Sequence, residues 1–275
     1  MTGTLYVVAT PIGNLQDFSR RGADVLGSVA MIAAEDTRRT RVLLEAIGVR
    51  GVRIEALHAH NEAAASDGVL ARLQDGDSVA LVSDAGTPLL SDPGFELVRA
   101  CWQAGIPVRP VPGPSALAAV LSVCPLPAHR FLFDGFLPAK AAARASRLRE
   151  LLALGVAVVF FEAPHRMAAT LEELQRLAPE RRLMIGREMT KRHEQYLCER
   201  PAALLESLTA GDHLKGEFVC VLEGAEVGAA PADARRTLEV LLTELPPAQA
   251  ARIAAQLLGL GRRELYDLAI TLRAP

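Results

Sequence analysis

Two hydrophobic periods alternate along the first half of the chain. Short apolar runs stand at "TLYVVAT" (4–10), "MIAAED" (31–36), "RIEALHAH" (53–60), "SVALVSD" (78–84) and "PVRPVPG" (107–113). Their length and β-branched content predict buried strands. Between them lie stretches with apolar residues three or four apart: 20–29, 38–48, 62–76, 94–105 and 115–123. These predict helices, three of them stopped by Gly48, Gly76 and Gly105. Strict strand–helix alternation with short connections predicts a mostly parallel sheet covered on both faces.

The texture changes after Pro127. Strand-like runs at 130–138, 156–164, 181–190, 193–200 and 217–225 mix with helical ones at 140–155 and 165–179. This predicts a second, α+β domain. A run of small residues, 224–233, reads as a linker. Beyond it, 246–272 reads as two helices around a turn at Gly259-Leu260-Gly261, the spacing of a helix-turn-helix or of a helical hairpin. The expected organisation is an α/β domain over 1–124, an α+β domain over 125–226 and a helical tail over 233–275.

Composition narrows the class. The chain has 275 residues, half of them hydrophobic and 23% charged, with a net charge of −2. These values suit a globular protein and carry no global field for nucleic acid. Lysine occurs only at Lys140, Lys191 and Lys215, so positive charge is mostly arginine, which suits bidentate phosphate contacts. Cys101, Cys124, Cys198 and Cys220 have no metal-site or disulfide-framework spacing. A cytoplasmic location is expected, with no secretory leader, no membrane partner and no metal.

Four loops fall at predicted strand ends: 10–14, 35–39, 83–94 and 112–116. In an open parallel sheet, ligands sit there. Neither the phosphate-binding GxxxxGK[ST] pattern nor GxGxxG is present. The 83–94 loop instead carries Asp84 and Asp92, and carboxylates attract cations and donors. A ligand with an ammonium, a sulfonium and ribose hydroxyls fits, and S-adenosylmethionine (SAM) has all three.

Longer motifs are more specific. "TPIGNLQD" (10–17), "AAEDTRRT" (33–40), "LHAHNE" (57–62), "LVSDAGTPLLSDPG" (81–94) and "VPGPSA" (111–116) lie in the first half. "DGFLPAK" (134–140), "FFEAPHR" (160–166), "REMTKRHE" (187–194) and "KGEFV" (215–219) lie in the second. On these blocks the chain resembles the SAM-dependent tetrapyrrole methylase superfamily. Within it, the chain is similar to the small-subunit ribosomal RNA ribose methyltransferases.

The resemblance implies a two-domain fold with SAM in the cleft between the domains, a homodimer, and small-subunit ribosomal RNA as partner. It implies methylation of the ribose 2′-hydroxyl of a decoding-centre cytidine. It places the cofactor against Pro11, Gly13, Asp84, Ala85, Gly86, Thr87, Ser115, Ala116, Phe161 and Gly216. Phe161 and Ala163 depart from the family, which often has Tyr and a small hydroxyl residue there.

A 2′-hydroxyl is a weak acid, so a base or a stabilising charge helps its transfer. The candidates are Lys191, Glu188, Glu162 and Arg166. Lys191 leads, because a desolvated lysine can have a lowered pKa; pairing with Glu194 is the plain structural reading. His58 and His60 are expected on one face of a strand, beside Asn61. For RNA, Arg38, Arg39 and Arg41 follow a strand end. Lys140, Arg144 and Arg147 fall at i, i+4 and i+7 of a helix, and Arg262 and Arg263 open the last helix. A tetrapyrrole C-methyltransferase and a ligand-sensing DNA-binding regulator are the competing readings.

Overall fold

The computed structural model describes residues 2–211, 213–225 and 231–273, and of 231–233 the backbone only. Most of the 224–233 linker therefore lies outside the described residues. Two compact units are present, Met1–Leu151 with Ala157–Glu223, and Leu152–Val156 with Gly224–Pro275.

The first unit holds two sheets. Strands β1 (Leu5–Val8), β2 (Met31–Ala34), β3 (Arg53–Ala56), β4 (Val79–Val82) and β5 (Val108–Val111) make one, in the order β3-β2-β4-β1-β5. Every neighbouring pair is parallel. Side chains alternate across it, as the pleat requires. Leu5, Met31, Ala33, Val79 and Leu81 meet Val69 and Leu73 of helix α3 (Glu62–Gln74) and Leu97 and Cys101 of α4 (Phe95–Gln103). Val8, Ile32, Ala34, Ala80 and Val82 meet Leu26 of α1 (Arg20–Ser28) and Leu44 of α2 (Thr37–Ala46). Both faces are covered, as the alternation of periods predicts. Local chemistry sets the helix starts: the Ser19 hydroxyl accepts from Gly22 N, and the Asp36 carboxylate from Arg38 N at 2.8 Å.

Helix α5 (Ala116–Ser122) leaves this sheet. Its Val120 packs with Val159, Met184, Val219 and Val221 of the second sheet. A break at 124 therefore does not separate the two cores. That second sheet comprises β6 (Phe131–Phe136), β7 (Ala157–Glu162), β8 (Leu183–Arg187), β9 (Gln195–Glu199) and β10 (Phe218–Leu222), in the order β6-β7-β10-β8-β9. Only β6 and β7 are parallel; the other pairs are antiparallel. The register of β6 on β7 shifts between Phe133 and Gly135. Helices α6 (Ala141–Leu152), α7 (Pro164–Leu177) and α8 (Pro201–Ala210) complete the unit.

Two expectations need correction. The sequence reading passes from 193–200 to 217–225 without an element, yet α8 lies between them. Its signals were present: Pro201 in the first turn, buried Leu204 and Leu208 on one stripe, and a stop at Gly211. The strand read over 53–60 ends at Ala56, so His58 and His60 do not alternate on a strand face. Asn61 folds that stretch back, its Oδ1 accepting from His58 N and its Nδ2 donating to Ala56 O.

The second unit holds α9 (Pro231–Leu242), α10 (Pro247–Leu258) and α11 (Arg262–Arg273). Gly259 stops α10 in the left-handed region at φ +67°. The helices meet over Ala234, Leu238, Ala250, Ala251, Ala254, Leu265 and Ala269, where small side chains permit close approach.

Candidate functional site

The loops after β1, β2 and β4 are braced on one another. Thr10 and Gly86 exchange two backbone hydrogen bonds, Thr10 N to Gly86 O at 2.8 Å and Gly86 N to Thr10 O at 3.0 Å. Gly86 has φ +84°, which an L side chain rarely adopts. Thr10 is buried, and its hydroxyl donates to Ser83 O. The Glu35 carboxylate accepts from Asp84 N, while the Asp84 carboxylate accepts from Asp36 N. This reciprocal pair locks the ends of β2 and β4 together.

Beyond the brace lies a cavity of about 350 Å³. The first sheet contributes Ile12, Ala85, Gly86, Thr87, Leu90, Ser91 and Asp92; the second contributes Phe136, Phe161–Pro164 and Glu217–Val219. Ser115, Ala116 and Leu117, at the start of α5, close it. Three acidic residues, Asp92, Glu162 and Glu217, are among those that line it, and no lysine or arginine is among the described lining residues. Two of them are neutralised from outside. Glu162 has no exposed side-chain surface, and it accepts from Ala163 N, from Arg166 Nε at 2.6 Å and from the Thr170 hydroxyl at 2.7 Å. Glu217 accepts from Lys191 Nζ at 2.9 Å.

Among the described residues, Asp92 has no cationic partner. Burial first, then the nearby Glu35 and Asp84 charges, push its pKa up to about 6, against a lowering hydrogen bond from Ser83. Its loop carries Leu89 and Ser91 at φ +72°, a conformation costly for non-glycine residues. The loop also runs close to β6: a Cβ on Gly135 would stand 2.9 Å from Ser91 Oγ. The sequence points to Asp92, with Asp84, as a carboxylate that attracts a cationic ligand, but Asp92 is not in the cofactor set that the resemblance implies. A carboxylate on a strand-end loop was the available signal; its desolvation comes from tertiary packing.

A second cavity of about 210 Å³ lies on the other side of the Thr10–Gly86 rung. Thr10, Pro11, Gly13, Leu15, Arg39, Thr40, Val42, Leu43, Ser83 and Asp84 line it. The sequence-based cofactor set is therefore divided. Ala85, Gly86, Thr87, Ser115, Ala116 and Phe161 line the larger cavity, whereas Pro11, Gly13 and Asp84 line the smaller one. Gly216 lines neither; at φ +99° it makes room for Glu188, whose Cγ would be 2.5 Å from a Cβ there.

Lys191 is not the desolvated base of the sequence reading. Partial burial acts to lower its pKa, but its hydrogen bonds to Glu217 and Glu188 prevail and raise it. Both Nζ contacts are 2.9 Å. Its plain structural partner also differs, because Glu194 binds Thr190 N and the Tyr196 hydroxyl instead. The turn is tight: Glu188 has φ +50° and Thr190 φ +64°. Gly13 packs against it, since a Cβ there would be 2.4 Å from Lys191 Cγ. Glu162 and Arg166 hold each other, and Arg166 also donates to Leu137 O.

The basic groups separate as well. Arg38, Arg39 and Arg41 are exposed on the first turns of α2, where Arg38 pairs with Asp36 and Arg39 with Asp84. Arg262 and Arg263 are exposed at the start of α11. The helical face through Lys140, Arg144 and Arg147 is corrected. Arg144 is buried and donates to Ala139 O; Arg147 is held by Asp134 and Glu150. Packing has turned Arg144 inward, while Arg147 stays partly exposed and is engaged by carboxylates of its own unit.

Known proteins place this arrangement. Residues 4–204 match the tetrapyrrole (corrin/porphyrin) methylases, and residues 228–273 match the RsmI C-terminal HTH domain. A Xylella fastidiosa protein named ribosomal RNA small subunit methyltransferase I is 49% identical over 96% of this chain and 98% of its own. The Escherichia coli O157:H7 protein of the same name is 44% identical over 98% of this chain and 95% of its own. The chain belongs to the ribosomal RNA small subunit methyltransferase I family.

Solved structures agree on the fold. Uroporphyrin-III C-methyl transferase from Thermus thermophilus, complexed with S-adenyl homocysteine, matches at TM-score 0.55 and 17% identity, over 80% of this chain and 97% of that one. The methyltransferase CobJ matches at TM-score 0.60 and 19% identity, over 82% and 95%. Among the described residues, no helix is long and apolar enough to cross a membrane.

Proposed function

We propose that this chain transfers the methyl group of SAM to the ribose 2′-hydroxyl of a decoding-centre cytidine in small-subunit ribosomal RNA. Beside the family, one observation carries the reading: the larger cavity offers carboxylates and no basic side chain. Such a lining repels phosphorylated cofactors and suits a cationic one. The residues fit SAM. Ile12, Leu117, Phe136, Phe161 and Val219 give apolar wall, Thr87 and Ser115 give hydroxyls, and Asp92 gives an unneutralised charge. SAM supplies a methyl group already activated by its sulfonium.

The protein's part is positioning and charge. Ala85, Gly86, Thr87, Ser115, Ala116 and Phe161 hold the donor. Glu162 and Arg166 fix the β7–α7 connection that presents Phe161 and Ala163. Lys191, held protonated by Glu188 and Glu217, acts as a fixed cation toward RNA or toward the developing oxygen charge, not as a base. Arg38, Arg39, Arg41, Lys140, Arg262 and Arg263 contact RNA phosphates. The protein works as a homodimer in the cytoplasm. Exposed Phe131, Leu132 and Phe136 on the edge strand β6 support the first, and four free cysteines the second.

The test is transfer from labelled SAM into purified small subunits lacking the modification, followed by digestion and nucleoside mass analysis. 2′-O-methylcytidine is the expected product. SAM binding without incorporation overturns the RNA reading and favours a tetrapyrrole C-methyltransferase.

A further inference from the structure

We infer that the smaller cavity is a nucleobase subsite, which takes the cytosine of the nucleotide whose ribose is methylated. The inference rests on the RNA reading above and adds where the base is held. Four observations support it.

The cavity, about 210 Å³, is a single concave space of side-chain scale, and its lining residues adjoin those of the larger one at the Thr10–Gly86 rung. Its rim is apolar and open to solvent: Leu15 is 52% and Val42 66% exposed, and both line it. These exposed apolar side chains, one on the 3-10 turn Leu15–Asp17 and one on α2, offer apolar contact to a base removed from its stack.

The charge is complementary. Arg38, Arg39 and Arg41 surround Val42 on the same helix, with Arg39 in the cavity wall. They offer phosphate contacts on either side of an inserted nucleotide.

The floor can read the base. Asp84 accepts one hydrogen bond from Asp36 N through Oδ1 and pairs with Arg39 through Oδ2 at 3.4 Å. A carboxylate has about four acceptor sites, so Asp84 retains capacity for a donor. The exocyclic amino group of cytosine is such a donor, and Asp or Glu is its usual acceptor. Uracil presents a carbonyl there, which Asp84 repels.

Finally, the two cavities adjoin. Ser83 and Asp84 line the smaller one and Ala85–Thr87 the larger, in one continuous loop. A base on one side of the rung keeps its sugar close to the other.

The test uses the full chain and the exposed wall residue, so folding is not at stake. Val42→Glu fills the cavity and adds negative charge; Val42→Gln fills it without charge. Equilibrium binding of unmodified small subunits is measured without SAM, SAM affinity by calorimetry, and KM and kcat by methyl transfer. Both variants are expected to bind subunits at least tenfold more weakly and to raise KM by a similar factor, with SAM affinity unchanged. Subunits carrying uridine at the target position are expected to raise the wild-type KM by at least tenfold. Wild-type subunit affinity and KM in both Val42 variants, in an enzyme that methylates subunits, overturn the subsite and leave the RNA reading standing. Equal KM for cytidine and uridine subunits also overturns it. A wild-type chain inert toward subunits overturns both.

Discussion

Replacing Glu162 by Gln tests how the larger cavity's wall is held. The Glu162 side chain is fully buried and that of Arg166 only 15% exposed. The carboxylate, at the end of β7, grips α7 at three points: its start through Ala163 N, Arg166 one turn on, and Thr170 one turn further. Gln keeps the shape and one acceptor oxygen. It loses the charge, and it leaves Arg166 as a nearly buried cation whose remaining partner is Leu137 O. Removing one member of a buried ion pair costs about 3–5 kcal/mol. The retained carbonyl recovers roughly 1 kcal/mol of hydrogen bonding. The expected net loss is therefore about 2–4 kcal/mol.

The double variant Glu162→Gln/Arg166→Met removes both charges, and such replacement is often close to neutral. It should be more stable than the sum of the single variants by about 1–3 kcal/mol. Urea unfolding followed by circular dichroism, with constant m values, measures all four corners of the cycle. A loss below roughly 1 kcal/mol for Gln, or additivity in the double variant, refutes the wall-bracing argument.

Four further outcomes follow from the structure. Asp92 has a folded pKa of about 6 against an ordinary 3.8, so the native state holds its proton more tightly and stability falls as pH rises through that window. Asp92→Asn should therefore stabilise the protein at pH 7.5, with the gain gone below the ordinary pKa; urea midpoints across pH check this. Lys191 has a folded pKa raised above 10.5, so its stabilisation is complete below that value and lost only as pH rises through the folded pKa. Lys191→Met should lower kcat, while wild-type pH–rate profiles between 7 and 9 show no limb from its deprotonation. Arg38→Ala/Arg41→Ala should weaken subunit binding and lower its salt slope by about 2, one per phosphate contact. Arg144→Met should lower the melting temperature and leave KM for subunits unchanged.

The parallel sheet was legible because its three central strands, β1, β2 and β4, are apolar runs between helical periods; the edge strands β3 and β5 carry Arg53, Glu55 and Arg109 and are largely exposed or half-buried. Boundaries were less legible. His58 and His60 extend the alternating pattern past Ala56, but Asn61 diverts the backbone with side-chain hydrogen bonds that no periodicity reports. Side-chain fate at the site was legible only where partners are local. Glu188 lies three residues from Lys191 and could be inferred; Glu217 is 26 residues away and comes with the sheet. Arg144 shares a helical stripe with Lys140, yet it is buried, because what covers a helix face is decided elsewhere in the chain. The division of Asp84 from Ala85–Thr87 between two cavities turns on one backbone rung, invisible to any motif.

That rung has a thermodynamic consequence. The Thr10–Gly86 rung is held by two backbone hydrogen bonds and by the Thr10 hydroxyl, so what presses on it from one side is felt on the other through those bonds. Coupling free energy between two occupants is reciprocal. If an occupant of the larger space tightens the hold of the smaller one by some factor, the reverse factor is identical. Order of addition then alters the kinetics of assembling the ternary complex but leaves its final affinity unchanged, and Thr10, whose hydroxyl bridges the two loops, is the side chain through which that coupling can be tuned.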